Sequence, residues 1–219
     1  MDKNFQIAID GPCAVGKTTI AKKIAEKLSF LLINTGNMYR CYALVLIQKK
    51  TNLENETEIL DVLNSSKVDL DNGKWYVNGI NVTEQLLDQE IAAIASKIAT
   101  IKKVREKCVN DQRKIALSKN CVMEGRDIGT VVLPNATLKV YLDGDIDLRA
   151  KRRWEQLNCN KPLLTIKNEI IERDYQDTHR EFSPLVKSKE AFVIYDNGLS
   201  IDEVSNMIID KFKEKINAA

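Results

Sequence analysis

The sequence has no apolar stretch that approaches the ~18 consecutive residues needed for a membrane-spanning helix. It also has no apolar signal-peptide core near its beginning, where Met1-Asp2-Lys3-Asn4 leads into a predicted strand. These two absences argue against a membrane protein and against an exported one. We expect a soluble, cytoplasmic protein with no membrane partner.

Cysteines are few and follow no metal-binding or disulfide spacing. Their number is odd and no C-x-x-C pair occurs, which argues against a disulfide framework and against a zinc site. We expect reduced thiols at all five positions: Cys13, Cys41, Cys108, Cys121 and Cys159. The single histidine, His179, has no partner that the sequence can assign.

The chain also lacks a large excess of either basic or acidic residues. The 33 Lys and Arg residues against 31 Asp and Glu residues leave a net charge of +2, and aromatic residues make up 6% of the chain. Because no basic strip is interleaved with aromatics, we expect no nucleic-acid partner. Internal repeats, low-complexity tracts and Pro/Gly/Ser linkers are absent as well, so we assign residues 1–219 to one domain with an insertion.

A glycine-rich motif near the start of the chain is the most informative feature. Residues 11–18 read Gly-Pro-Cys-Ala-Val-Gly-Lys-Thr and follow the apolar run Phe5 to Ile9. Glycines allow the backbone to turn where a Cβ would clash, so that successive N–H groups point at a phosphate. In this G-x-x-x-x-G-K-[ST] pattern Lys17 serves the β and γ phosphates, and the Thr18 hydroxyl is placed to bind Mg²⁺.

Short apolar runs alternate with helical patterns along the rest of the chain. This alternation predicts an α/β fold with a five-stranded parallel sheet covered on both faces. The predicted strands are Phe5 to Ile9, Leu31 to Ile33, Cys121 to Met123, Leu138 to Leu142 and Phe192 to Tyr195. The predicted helices span residues 18–28, 37–49, 54–64, 90–118, 146–157, 166–180 and 201–216. The last of them begins with Ser200 and Glu203 in capping-box register and carries one apolar stripe, which predicts a helix that packs against the core and takes no part in chemistry.

One segment departs from this alternation. Lys67 to Val82 contains Asn72-Gly73 and Asn78-Gly79 between short β-prone runs, which predicts a small antiparallel meander. We interpret it as part of an insertion into the α/β core; the alternative is a hairpin without a function.

Arginines follow the predicted second and third strands. Thr35 to Arg40 and Gly125 to Asp127 come after these strands, at the sheet edge where α/β proteins bind ligands. Arg40 and Arg126 could therefore hold one phosphate from two sides. The alternative for each is a salt bridge at a helix start.

A second charged face lies on the predicted helix 166–180. Ile166, Ile170, Arg173, Asp177 and Arg180 follow helical spacing, so an apolar stripe continues as a charged one. This pattern indicates a polar cleft that takes phosphate or sugar; the alternative is a solvated ion-pair row.

Three arginines share a face of the predicted helix 146–157. Arg149, Arg152 and Arg153 have i, i+3, i+4 spacing and precede a polar loop, which favours a lid over the transferring phosphates. The alternative is a solvated basic surface.

Several of these segments together resemble the bacterial cytidylate kinase family over nearly the whole chain. The resemblance rests on the loop at 11–19, Thr35-Gly36-Asn37-Met38-Tyr39-Arg40, Gly125-Arg126-Asp127-Ile128-Gly129-Thr130-Val131-Val132 and the run from Glu172 to Leu185. It implies MgATP-dependent phosphorylation of CMP and dCMP by a P-loop kinase core. It also implies a lid at 150–165 and a monophosphate-binding insert at 65–95, and we expect a monomer.

The resemblance also assigns site residues. Ser96, Arg105 and Asp127 would contact cytosine, Arg173 and Asp177 the ribose, and Arg40, Arg126 and Arg180 the α-phosphate, with Thr35 also at CMP. The expected catalytic residues are Lys17, Arg126, Arg149, Arg153 and Arg180. ATP would be bound by Gly11, Pro12, Cys13, Ala14, Val15, Gly16, Lys17, Thr18 and Thr19, and Mg²⁺ by Thr18.

One of these assignments constrains the predicted helix 90–118. Ser96 and Arg105 are nine residues apart, or ~13 Å along a continuous helix, so either the ligand lies along the helix or the helix bends between them.

Other functions remain open at this point. One rival is another P-loop kinase of uridylate or shikimate type, and another is a nucleotide-dependent switch without an acceptor. A nucleic-acid-linked ATPase has little support. For a kinase of this kind no strong general base is required, because a phosphate with a second pKa of about 6 is already largely ionised near neutrality.

Overall fold

The computed structural model describes residues 4–117, 119–157, 161–196 and 198–218. Its strands are β1 (Gln6–Asp10), β2 (Leu31–Asn34), β3 (Val68–Asp71), β4 (Lys74–Val77), β5 (Ile80–Asn81), β6 (Cys121–Gly125), β7 (Leu138–Gly144) and β8 (Phe192–Asp196). Its α-helices are α1 (Lys17–Leu28), α2 (Thr35–Gln48), α3 (Glu56–Asn64), α4 (Gln89–Ile98), α5 (Lys102–Ala116), α6 (Ile146–Gln156), α7 (Leu163–His179) and α8 (Ile201–Asn217). A short 3₁₀ helix covers Gln85–Leu87, and a π-helical turn covers Ile128–Val132.

A five-stranded parallel sheet has the strand order β2-β6-β1-β7-β8. The central strand β1 pairs with β6 on one side and with β7 on the other, in parallel register. Its residues Ile7, Ala8 and Ile9 are fully buried, as expected for a strand covered on both faces. The α/β fold predicted from the sequence is confirmed.

The predicted meander is a separate three-stranded antiparallel sheet in the order β3-β4-β5. Asn72 and Asn78 adopt positive φ, each followed by a positive-φ glycine, so the two Asn-Gly pairs make the tight turns. Trp75 on β4 is 2% exposed and packs as an apolar anchor.

The chain divides into two compact units. The first comprises residues 1–32 and 120–219, and the second comprises residues 33–119. The insert predicted over 65–95 lies within the second unit, and its role in monophosphate binding stays a prediction.

The core of the first unit lies between its strands and two helices. Ile20 and Ile24 of α1 and Ile208 and Phe212 of α8 are buried in one apolar cluster with the strands. Helix α8 begins with the predicted capping box, in which the Ser200 side chain and Glu203 side chain bond each other's backbone N–H. This helix supplies packing, as its stripe predicted.

The second unit is built around α2. This helix contacts α3, α4 and β4, and its side chains Met38, Tyr42 and Leu46 are almost fully buried. The N-cap of α2 is Asn34, whose side chain accepts a hydrogen bond from the backbone N–H of Asn37.

The prediction of one long helix over 90–118 is wrong. The segment forms two helices, α4 and α5, separated at residues 99–101. The Thr100 hydroxyl donates to the Lys97 carbonyl at 2.7 Å, and Ile101 has an extended ψ of 120° that ends the helical path. Because a side-chain donor competes for a helix carbonyl next to a β-branched pair, the break has a local cause. Of the two alternatives stated for Ser96 and Arg105, a ligand lying along one helix or a bend between the two residues, the structure has an interruption of the helix between them.

Two findings bear on the exclusions made from the sequence. Within the described residues, no helix combines the length and the apolarity that bilayer crossing requires. Cys13, Cys41, Cys108 and Cys121 are free thiols, and Cys159 lies outside the described residues.

Candidate active site

The glycine-rich loop connects β1 to α1 in the first unit. Gly11 has φ +152°, and a Cβ placed there would lie 2.1 Å from the Leu142 carbonyl oxygen of β7. Gly16 caps α1 with φ +92°, in the left-handed region. Both glycines are therefore required by geometry, and the loop leads directly into the N-terminus of α1, a favourable place for phosphate.

Lys17 is held over the loop by two carbonyl groups. Its Nζ donates to the Gly11 oxygen at 2.8 Å and to the Pro12 oxygen at 2.6 Å. Burial, and after it the positive charge of Arg126, lower the pKa of Lys17 to about 7. An added polyanion would favour the charged ammonium, which is the form that phosphate binding needs.

Thr18 faces a carboxylate that the sequence analysis missed. The Thr18 hydroxyl donates to Oε1 of Glu124 at 2.6 Å. Glu124 is 5% exposed and lies on β6, directly beside Ile9 of β1 in the sheet register. An acidic residue in an otherwise apolar strand can be seen in the sequence. Its position beside the glycine-rich loop, however, follows only from the pairing of β6 with β1.

Asp10 is a second missed carboxylate. Its two oxygens accept the backbone N–H groups of Ile128 and Gly129, each at 2.8 Å. These bonds fix the start of the π-helical turn that follows Arg126 and Asp127. Burial raises the pKa of Asp10 to about 6, against the lowering effect of the two N–H donors, and the charge of Asp127 adds to the rise.

Four of the five predicted acceptor-binding residues of the first unit form an arginine–aspartate cluster, defined here as Arg126, Asp127, Asp177 and Arg180. Arg126 Nε donates to Asp177 Oδ2 at 2.7 Å, and Arg180 Nη1 lies 3.4 Å from Asp177 Oδ1. Arg180 Nη2 is 3.8 Å from Asp127 Oδ1. The structure thus brings together residues from the end of β6 and from the end of α7.

Charge compensation governs this cluster. Burial alone would raise the pKa of Asp177, but the charges of Arg126, Arg173 and Arg180 and the Arg126 hydrogen bond hold it below its usual range. The side chain of Asp177 is 14% exposed and that of Arg180 is 8% exposed. Asp177 and Arg180 are therefore not part of a solvated row of ion pairs along α7. Arg173, in contrast, is exposed to solvent.

The arginines of α6 have different surroundings. Arg149 is buried; its Nε donates to the Gly144 carbonyl and its Nη1 to the Cys13 carbonyl and to Asp174 Oδ2. Arg152 donates to Asp196 at the end of β8, and Arg153 donates to the Gln156 side chain. The role of these residues in a lid at 150–165 stays a prediction, and residues 158–160 of that segment lie outside the described residues.

Four predicted CMP contacts belong to the second unit. Thr35 is buried in the first turn of α2, and Arg40 Nη1 donates to the Leu86 carbonyl at 2.6 Å. Arg105 is 4% exposed, donates to the Ala99 carbonyl at the break before α5, and lies 5.7 Å from the centre of the Tyr39 ring. Ser96 is partly buried on α4.

His179 has a local explanation. Its ring stacks on Tyr175 with centroids 4.0 Å apart, and its Nδ1 lies 3.0 Å from the Tyr175 carbonyl. These contacts are consistent with an incidental histidine at the end of α7.

The sheet, the glycine-rich loop and the carboxylate beside Thr18 define a P-loop kinase fold. A family model described as cytidylate kinase matches residues 7–214. The chain belongs to the cytidylate kinase family.

Proteins named as cytidylate kinases are similar to this chain over nearly its whole length. The cytidylate kinase of Thermotoga maritima is 42% identical over 217 residues, covering 97% of this chain and 99% of that protein. The bifunctional pantoate ligase/cytidylate kinase of Prochlorococcus marinus (strain MIT 9215) is 42% identical over 219 residues, covering 96% of this chain but 43% of that protein. A solved structure of an uncharacterized protein from Eubacterium ventriosum shares the fold with TM-score 0.58 at 18% identity, over 97% of this chain and 99% of that one.

The raised pKa of Asp10 predicts an unusual pH dependence of stability. With a pKa of about 6 when folded and 3.8 ordinarily, the folded state holds more protons between these values. The contribution of Asp10 to the free energy of unfolding is therefore fully present below pH 4 and is lost as pH rises through 6. We expect the free energy of unfolding of the wild type minus that of Asp10→Asn to fall by about 2 kcal/mol between pH 4 and pH 7.

Urea unfolding followed by circular dichroism across this pH range measures the difference. The exposed Asp210→Asn on α8 controls for the removal of a carboxyl group. A difference that grows with pH would contradict the assignment.

Proposed function

We propose that the protein transfers the γ-phosphoryl group of ATP to CMP or dCMP, giving ADP and CDP or dCDP. The observation that carries the proposal is the position of the arginine–aspartate cluster within electrostatic reach of Lys17. Arg126 and Asp177 both shift the pKa of Lys17, so the Lys17 ammonium and the arginine–aspartate cluster share one region of the first unit, as binding of two phosphate groups side by side would require. Family membership supports cytidine monophosphate as the acceptor.

The chemistry asked of these residues is positioning and charge neutralisation. An ionised acceptor phosphate attacks without a general base, so the barrier depends on holding two polyanions together. Arg126 and Arg180 are already aligned by Asp177 and can exchange part of that pairing for phosphate oxygens. Such prealigned guanidinium groups lose little conformational entropy when they bind.

Oxygen donors beside the loop fit Mg²⁺, which prefers hard oxygen ligands. The Thr18 hydroxyl would hold the ion, and Glu124, at 2.6 Å from that hydroxyl, would orient it or a bound water. When bound, the ion neutralises charge on the β and γ phosphates.

Base selection by Asp127, Ser96 and Arg105 is carried over from the family resemblance. The exocyclic amine of cytosine is a hydrogen-bond donor, whereas uracil presents a carbonyl oxygen at the same place. An ionised Asp127 can accept a hydrogen bond from the cytosine amine, whereas it would repel the carbonyl oxygen of uracil. Arg173 and Asp177 at the ribose, Arg40 and Thr35 at CMP, a monomeric state and a cytoplasmic location remain predictions.

Release of ADP measured with and without CMP tests the proposed function. We expect turnover that depends on CMP or dCMP and is much weaker with UMP, AMP or shikimate. Turnover independent of any acceptor would instead identify a nucleotide-dependent switch.

The variant Lys17→Ala should lower kcat by about 100-fold or more, because a charge on the transferring group is lost. The KM for CMP should change less than about threefold. Lys22→Ala, on the exposed face of the same helix, is the matched control. Equal turnover in Lys17→Ala would remove the loop from catalysis.

The variant Asp127→Ala should reduce the ratio of kcat/KM for CMP over UMP by about 10-fold, because the acceptor for the cytosine amine is lost. Asp127→Asn should shift the ratio further toward UMP, since its amide NH₂ can donate to the uracil oxygen. An unchanged ratio in both variants would rule out base reading by Asp127.

The variant Glu124→Gln keeps an acceptor for the Thr18 hydroxyl but removes the charge. The Mg²⁺ concentration that gives half-maximal turnover should rise about 10-fold. The affinity for ATP measured without Mg²⁺ serves as the internal control and should stay the same. An unaltered Mg²⁺ dependence would show that Glu124 does not act through the metal.

A further inference from the structure

A single peptide group in the phosphate-binding loop is held from both ends. The Pro12 carbonyl accepts from Lys17 Nζ at 2.6 Å, and the N–H on the other side of the same peptide, that of Cys13, donates to Asp174 Oδ1 at 2.7 Å. Since a peptide group is planar, fixing its N–H also fixes its carbonyl. Asp174 therefore determines where one of the two acceptors of the Lys17 ammonium lies.

Arg149 completes this arrangement. Its Nη1 donates to the Cys13 carbonyl at 2.9 Å and to Asp174 Oδ2 at 2.5 Å. Both backbone polar groups of Cys13 are thus bonded to a charged pair, one member from α6 and one from α7. The side chains of this pair are 9% and 18% exposed, so water competes weakly for their hydrogen bonds.

Apolar packing supports the same contact. Ala150, Ile166 and Ile170 form a small buried cluster between α6 and α7, against which Cys13 and Ala14 pack. The loop is consequently fixed to these two helices by side chains as well as by backbone hydrogen bonds.

We propose that Asp174 is a positioning residue for ATP: through the Cys13 N–H and Arg149 it sets the loop conformation that places Lys17 on the transferring phosphate. The proposal rests on the function proposed above, since it assigns Asp174 to the ATP side of that reaction. The two carboxylate oxygens of Asp174 accept from the Cys13 N–H and from Arg149, so its action is assigned to the peptide that it orients and not to a contact with substrate. Its neighbours on α7, Arg173 and Asp177, are assigned to the other substrate, so one helix serves both.

The experiment compares Asp174→Asn and Asp174→Ala with the wild type and with Glu172→Ala, an exposed residue two positions away on α7. Binding of MgATP is measured by calorimetry without CMP, and steady-state KM values are measured for ATP and CMP separately. Asp174→Asn keeps an acceptor for the Cys13 N–H, whereas Asp174→Ala removes it. Circular dichroism and melting temperature establish that each variant is folded.

We expect Asp174→Ala to weaken MgATP binding about 10-fold and to raise the KM for ATP in parallel, with a smaller effect in Asp174→Asn. The KM for CMP should stay within about twofold of the wild type, a split that a general loosening of α7 would not produce. Arg149→Ala should cause a similar loss, and the double variant should lose no more than either single one.

Folded variants with unchanged MgATP affinity, or with equal losses for ATP and CMP, would overturn the proposal. Its failure is separable from failure of the proposed function. If the wild type does not phosphorylate CMP, the proposed function fails, while MgATP binding without CMP still reports on Asp174.

Discussion

A buried lysine that needs oxygen acceptors is the constraint around which the first unit is arranged. Lys17 is 5% exposed, and its ammonium is held by the carbonyls of Gly11 and Pro12. Burying a cation without partners costs several kcal/mol, so the loop must curve until both carbonyls face inward. That curvature brings the Gly11 Cα so near Leu142 that only glycine fits. The position of the Lys17 ammonium therefore depends on the shape of the loop, and the shape of the loop depends on β7 lying next to β1 in the sheet.

Carboxylates organise the remaining parts of the site. Asp10 holds the turn after Asp127, Glu124 holds the Thr18 hydroxyl, Asp174 holds the loop, and Asp177 holds two guanidinium groups. Each accepts hydrogen bonds from a different segment of the chain. The candidate site therefore keeps its cations and N–H donors in place with internal anions. In the proposed function, the two phosphate-bearing substrates would bind by replacing some of these anions as hydrogen-bond partners, without a rearrangement of the site.

Sequence reasoning succeeded where the determinants are short in range. The loop, the Asn-Gly turns and the capping box at Ser200 depend on residues within a few positions, and all were located correctly. The break between α4 and α5 was missed because periodicity continues across it, although the Thr100-Ile101 pair marks the place. Glu124 and Asp174 could not be assigned, since their partners lie 106 and 161 residues away and become neighbours only in the folded chain. Asp177 and Arg180, both largely buried at the end of α7, were singled out because a stripe that changes from apolar to charged is visible without any knowledge of tertiary contacts, whereas Arg173 of the same stripe is exposed.

The contact between Gly11 and β7 limits how this chain can evolve. The atom that excludes a side chain at Gly11 is the main-chain oxygen of Leu142, which every amino acid carries. No replacement at position 142 can make room, so a lost glycine here has no simple compensating mutation on β7. Relief would require the whole strand to shift, and β8 is paired to it in register. Genetic screens for suppressors should accordingly recover reversion at codon 11 rather than second-site changes.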